Sequence, residues 1–161
     1  MSQPLVRAGF SYDVVIVGGG LVGATLAALL ADSALSVAVV EARAPNIAFP
    51  ASEAPFEPRV SALTVAAKRL LQHTRVWDSV ERARHSPFQK MHVWDADGTG
   101  EITFSCDDLG VPALGYIIEN SIVIAALYQR LAKAENIHLF PPRKLLPVGE
   151  TRMDEIGRAH V

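Results

Sequence analysis

The stretch from Tyr12 to Arg43, YDVVIVGGGLVGATLAALLADSALSVAVVEAR, constrains the chain more than any other. It reads as strand, glycine turn, helix, strand and acid. Val14 to Val17 is a short β-branched run suited to a strand buried on both faces. Gly18, Gly20 and Gly23 then spell G-x-G-x-x-G, with Gly19 as an extra glycine and Leu21 and Val22 in the gap. In such a turn the first glycine makes the tight bend and the second lets the backbone approach a pyrophosphate. The third lets helix and strand pack closely. The helix that follows aims its N–H groups and positive dipole end at the phosphates. Gly23, Ala27 and Leu30 share one face of that helix, which fits close docking on a sheet. Val37 to Val40 make the second strand.

Glu41 ends this unit, near the spacing of about 20 residues at which a carboxylate accepts the ribose hydroxyls of a dinucleotide. The competing reading is a glycine-rich surface loop between unrelated elements. Strand, helix, second strand and acid all in register argue against it. An acid at position 41 disfavours a 2′-phosphate. FAD and NAD both remain, and the motif does not separate them.

At 161 residues the chain has the size of one ordinary domain. Half the residues are hydrophobic (50%) and 20% are charged, so a packed core is expected and global disorder is not. A net charge of −2, with no basic stripe interleaved with aromatics, predicts no nucleic-acid partner. Cys106 is the single cysteine, which excludes an internal disulfide framework and suits a reduced, cytoplasmic compartment. With no activating partner identifiable, it reads as a small buried hydrophobe rather than a nucleophile. Asp13 and the glycines break the apolar stretch after Arg7, arguing against a secretory signal or a transmembrane helix. The final Ile156-Gly157-Arg158-Ala159-His160-Val161 reads as a non-native tail, resembling translated sequencing-adapter bases, so the chain is expected to be an N-terminal fragment.

Residues 44–58 carry proline and no period, which predicts a long loop over the nucleotide site. Arg59 to Leu63 is read as leading into a helix over 64–73, with Trp77 and Val80 continuing an apolar face after a break at Thr74-Arg75. Residues 91–95 and 101–105 alternate about a turn and predict a hairpin. Residues 115–119 predict a strand, and Asn120 an N-cap for a helix to about Ala134 whose apolar face is Ile124, Leu127, Tyr128 and Leu131. Residues 137–140 predict another strand, and 144–148 the start of a further one. Alternating strands and helices indicate a parallel α/β core with the hairpin as an inserted antiparallel element.

No metal site is expected, because the five histidines lack paired ligand spacing. Trp77 and Trp94 are read as core packing rather than ligand stacking. Arg59 stands out: after a proline and before a small-residue segment that would pack under the first strand, it either grips phosphate bidentately or is a plain surface arginine.

Taken together, DVVIVGGGLVG at 13–23, VVEAR at 39–43, EAPFEPRVSAL at 53–63, MHVWDADGTGEITF at 91–104 and LGYIIENSIV at 114–123 resemble the flavin-dependent aromatic hydroxylases of ubiquinone biosynthesis. The combination of PRVSAL, M-x-V-W-D and G-Y-I-I-E-N resembles in particular the bacterial 2-polyprenylphenol hydroxylase branch. The resemblance implies a truncated Rossmann-like FAD/NAD(P)-binding fold: residues 1–155 as the N-terminal part of the FAD domain, 86–114 as the start of a substrate-side β insertion, and 156–161 as the tail. It implies FAD at Gly18, Gly19, Gly20, Leu21, Val22 and Gly23, with Glu41 on the adenosine ribose and Arg43 flanking the adenosine. Arg59 would lie near the phosphates where flavin and NAD(P)H meet. Asn120 stands where relatives often place an arginine or glutamine on FAD.

The implied reaction is reduction of FAD by NAD(P)H, oxygen addition to a flavin C4a-hydroperoxide and hydroxylation of a polyprenylated phenol. The cofactor carries the chemistry, so no catalytic acid, base or nucleophile is assigned. The fragment alone is expected to be inactive. Its greasy substrate admits peripheral membrane contact or association with a ubiquinone-biosynthesis complex. Thr74-Arg75-Val76-Trp77 departs from the family's Leu-Gly-x-Trp and puts a helix-ending glycine in doubt. The alternatives are another FAD oxidoreductase, an oxidase or dehydrogenase, and a non-catalytic nucleotide-binding module.

Overall fold

The computed structural model describes residues 11–140. The expected tail at 156–161 and the strand expected from residue 144 lie outside that range. In chain order the elements are β1 (Val14–Val17), α1 (Leu21–Leu30), β2 (Val37–Val40), β3 (Val60–Thr64), α2 (Val65–His73) and α3 (Trp77–Arg82). Then come β4 (Ser86–Phe88), β5 (Lys90–Trp94), β6 (Glu101–Ser105), β7 (Gly115–Glu119), α4 (Asn120–Leu131) and β8 (Ile137–Phe140).

β1, β2 and β8 form a parallel sheet in that order, with Val17, Val40 and Phe140 aligned at its C-terminal edge. This is the α/β nucleus that the glycine unit implies. α1 and α4 pack together over it. The small Ala24, Ala27 and Ala28 let α1 approach closely, and Ile122, Leu127 and Leu131 of α4 fill the space beside them. Each of those large side chains contributes about 1.5–3 kcal/mol by leaving water. Ile118 of β7 and Val76, Trp77 and Val80 around α3 extend the same core.

The structure corrects several expectations. β1 buries Ile16, but Val15 and Val17 on its other face are 56% and 62% exposed, because both core helices pack on one side. Residues 60–64 lead directly into α2, as expected, but they do so as a strand. β3 pairs antiparallel with β7, Val60 opposite Glu119, instead of packing under β1. β7 therefore belongs to a second sheet, ordered β3-β7-β4, and not to the parallel core. Trp94 is 67% exposed and is no part of the core, whereas Trp77 is buried as expected.

Local chemistry explains the helix ends. Thr64 caps α2 by accepting the Ala67 N–H at 3.2 Å. Its other end closes with the Val76 N–H on the Leu71 carbonyl (2.8 Å) and the Arg75 N–H on that of Gln72 (2.9 Å). Arg75 takes the left-handed conformation there, at φ 61°, in place of the glycine that the related pattern supplies. The hairpin forms as expected, Met91 opposite Phe104, and every residue of β5 and β6 is exposed except half-buried Ser105. Cys106 is buried.

Candidate nucleotide site

The glycine turn lies where β1 ends and α1 begins. Gly18 adopts φ 98°, a left-handed bend that disfavours a side chain, and its N–H donates to the Val40 carbonyl at 2.8 Å. A Cβ on Gly23 would run into the Gly18 carbonyl, so this glycine permits the close return of the helix. Gly20 caps α1 in extended conformation, and a Cβ added to it would meet nothing within 4 Å. No acid stands in the first turn of α1 and no side chain caps it. Beside that open space a helix start offers unsatisfied N–H groups and a positive dipole end, which suits a phosphate. Leu21 and Val22, in the first turn, are half-buried and exposed respectively.

Glu41 follows β2 and turns back onto this loop. One carboxylate oxygen accepts the Gly19 N–H at 2.7 Å and the other accepts the Arg43 N–H at 3.0 Å. The Arg43 N–H, and after it the Gly19 N–H, hold the carboxyl below the usual carboxylate range. An ionised carboxylate offers about four acceptor sites, so these two bonds leave capacity for hydroxyl donors. Beside it an open groove of about 380 Å³ is lined by Val39, Glu41, Arg43, Ile47, Tyr128 and Leu139 among others. Gln129 holds one side of the groove by donating to the Ile47 carbonyl at 3.0 Å. Apolar walls with an exposed arginine and a carboxylate at the mouth match a nucleoside better than a metal. Among the described residues no three His, Cys, Asp or Glu side chains gather to hold a metal ion.

Thus the six turn positions, Glu41 and Arg43 come together at one sheet edge. Arg59 and Asn120 meet elsewhere, where β3 starts and α4 begins. The Asn120 N–H donates to the Arg59 carbonyl at 3.0 Å, and the Asn120 side-chain oxygen accepts the Ser61 hydroxyl at 2.6 Å. Arg59 is exposed. Asn120 is the first residue of α4 and not its cap. Glu119 holds that place in extended conformation, and its side chain is committed elsewhere.

That commitment is not legible in the sequence. Glu119 is 3% exposed and paired with Arg84 through two hydrogen bonds, at 2.7 and 2.9 Å. It also accepts the Glu57 N–H at 2.7 Å. Arg84 further donates to the carbonyls of Ala54 and Pro55 and lies over the Phe56 ring. The pair pins residues 54–57 to the end of β7. Its guanidinium holds the Glu119 carboxyl below the ordinary range, against the opposing effect of burial. The carboxylate at the strand end is in plain view, but nothing in a stretch containing Arg82, Arg84 and His85 singles out its partner.

Comparison with known proteins then gives the family. A profile described as "FAD binding domain" matches residues 11–156. The chain belongs to this FAD-binding domain family. The 3-demethoxyubiquinol 3-hydroxylase of Escherichia coli is 35% identical over 134 residues, 83% of this chain and 34% of that protein. The mitochondrial ubiquinone biosynthesis monooxygenase COQ6 of Dictyostelium discoideum is 34% identical over 140 residues, 80% of this chain and 28% of that protein. The chain therefore spans roughly a third of the length of these curated relatives. Among solved structures, the flavin-dependent monooxygenase PieE in complex with FAD and substrate superposes with a TM-score of 0.58 at 17% identity, covering 83% of this chain and 24% of that one. For p-nitrophenol 4-monooxygenase PnpA of Pseudomonas putida the values are 0.56, 18%, 78% and 30%. At such identity these structures show the fold, a mixed α/β architecture shared with FAD-dependent monooxygenases.

Proposed function

We propose that this FAD-binding domain is the nucleotide-holding part of a longer monooxygenase that hydroxylates the ring of a polyprenylated phenol in ubiquinone biosynthesis, using O2 and NAD(P)H. The turn, Glu41 and the groove meeting at one sheet edge carry the reading. Gly18, Gly19 and Gly20 with the N–H groups of Leu21 and Val22 receive the pyrophosphate, and Gly23 seats the helix behind them. Glu41 accepts the ribose hydroxyls. Arg43 covers the adenosine from the groove mouth. Arg59 and Asn120, held to each other, would serve the flavin side, where flavin and NAD(P)H would meet.

Bound FAD supplies the redox and oxygen-activating chemistry. The chain's residues bind and orient it, and no acid or base from residues 11–140 is assigned to the reaction. The relatives named for ubiquinone biosynthesis support the substrate class. A cytoplasmic location accords with the single cysteine, Cys106, and peripheral membrane contact with the greasy substrate; among the described residues no helix is long and apolar enough to cross a membrane.

The test is turnover. The full-length protein is expected to bind FAD and to couple NAD(P)H oxidation to the gain of one oxygen by a prenylated phenol. The 161-residue chain alone is expected to show none. Robust NAD(P)H oxidation by that chain would overturn the reading of it as a part. A full-length flavoprotein that oxidises substrate without inserting oxygen would make it an oxidase or dehydrogenase, and retention of NAD without flavin a binding module.

A further inference from the structure

We propose that Tyr128 is a positioning residue of the nucleotide turn and that its hydroxyl is the reason position 19 carries glycine. The inference rests on the assignment of this turn to FAD. Tyr128 lies in α4, where its spacing with Ile124, Leu127 and Leu131 marks it as one more apolar-face residue. Its ring is buried, but its hydroxyl reaches across to donate to the Gly19 carbonyl at 3.0 Å. On the other side of the same residue the Gly19 N–H is held by Glu41 at 2.7 Å. Both polar groups of Gly19 are therefore fixed from outside the turn, one by a helix and one by the strand-end acid.

The consequence for the ligand follows from peptide geometry. The unit joining Gly19 to Gly20 is planar and trans, so its carbonyl and its N–H point in opposite directions. A carbonyl held toward Tyr128 leaves the Gly20 N–H directed away from the tyrosine, on the residue whose added Cβ would meet only open space. Tyr128 thereby sets the direction of a phosphate-facing donor that it does not itself touch. Burial, and after it the charge of Glu41, push the phenol above its ordinary range, which keeps it a neutral donor at physiological pH.

The neighbouring glycines show why Gly19 is distinct. A Cβ on Gly18 or Gly20 would meet nothing within 4 Å, whereas one on Gly19 would fall on the Tyr128 hydroxyl and come within 3.2 Å of the Glu41 Cβ. Gly20 is small for an incoming ligand, and Gly19 is small for a tyrosine already in place. The two positions 19 and 128 are thus coupled across the gap between the turn and α4.

Three variants of the full-length protein test this: Tyr128→Phe, Gly19→Ala and the pair combined, each measured for FAD affinity and for thermal unfolding of the apoprotein. Tyr128→Phe keeps the ring but leaves the buried Gly19 carbonyl without its donor, so the apoprotein is expected to melt somewhat lower. FAD is expected to bind several-fold more weakly, because the Gly20 N–H is no longer held in direction. Gly19→Ala is expected to lower both melting temperature and affinity. The double variant should melt above Gly19→Ala, because removing the hydroxyl lifts the direct collision and leaves the methyl with only the tight 3.2 Å approaches to the ring carbon and the Glu41 Cβ. FAD affinity unchanged in Tyr128→Phe, as a purely packing role requires, would overturn the positioning role. A melting loss from Gly19→Ala that persists undiminished in the double variant would overturn the coupling. If wild type binds no FAD, the assignment of the turn fails and the positioning role with it, and the melting comparison still decides the contact.

Discussion

Glu41 and Glu119 stand at the ends of two strands, β2 and β7, and are satisfied in opposite ways. Glu41 is half-buried and accepts from two backbone N–H groups beside an open groove. Glu119 is almost fully buried, and its oxygens are taken by the Arg84 guanidinium and the Glu57 N–H. The first carboxylate is held in place with acceptor sites to spare. The second is used up in holding chain to chain. One region of the molecule is thus arranged to receive a ligand and the other to brace the loop that follows β2.

The widest separation between them is expected in folding stability. Arg84→Ala leaves the Glu119 carboxylate without its partner and should lower stability in denaturant unfolding more than any other single change named here. Replacing both, as Arg84→Met with Glu119→Leu, should cost much less, because no buried charge is left behind. If Arg84→Ala left the denaturation midpoint where it is in wild type, as the loss of a surface ion pair commonly does, the brace would not be what holds residues 54–57.

Glu41→Gln should reverse the pattern. Hydrogen bonds to a charged group contribute about 1.5–3 kcal/mol, so FAD affinity is expected to fall roughly 10- to 150-fold, with a smaller change in unfolding than Arg84→Ala produces. Equal FAD binding by Glu41→Gln and wild type would dissolve the distinction between the two carboxylates.

The turn and Glu41 are legible in the sequence because their requirements are local. A left-handed bend, a close helix return and an acid at a fixed distance each restrict residue type at one position. The hairpin is legible too, since alternation and turn residues define it without help from elsewhere. β3 is not, because five residues running straight into a helix show little period, and their partner β7 lies far along the chain. Arg84 carries no spacing signal at all, since its partner is brought to it by the β4–β7 pairing. Tyr128 is visible as an apolar-face residue but not as a donor, because helical periodicity reports the face and not what the ring's far end meets. Trp94 reads wrongly as core, because a large aromatic in an alternating strand does not reveal which face is covered.

Acid should weaken both regions in the same direction. The Arg84 guanidinium lowers the Glu119 carboxyl, and the backbone N–H groups of Arg43 and Gly19 lower that of Glu41. Their stabilisation is complete above the unfolded glutamate value of about 4.3 and is lost as pH falls from there through the lower folded values. Urea unfolding between pH 7 and 3 should show stability declining below about pH 4.3. The decline should be shallower in the Arg84→Met with Glu119→Leu variant, and an unchanged slope there would remove Glu119 from the titration.

The smallest effect is expected at Arg75, outside both regions. A left-handed residue with a side chain costs about 1–2 kcal/mol, and glycine gives back part of that in unfolded-chain entropy. Arg75→Gly should therefore stabilise the protein by about 0.5–1 kcal/mol, read as a higher melting temperature with FAD affinity unchanged. A lower melting temperature would show that the arginine side chain makes up for its backbone.

Titrating the full-length apoprotein with FAD, FMN and ADP goes straight to the role of the turn and Glu41. If they grip the adenosine side, FAD binds, ADP competes with it, and FMN, which lacks that half, binds far more weakly. FMN binding as tightly as FAD, or ADP failing to displace FAD, would show that the grip lies elsewhere.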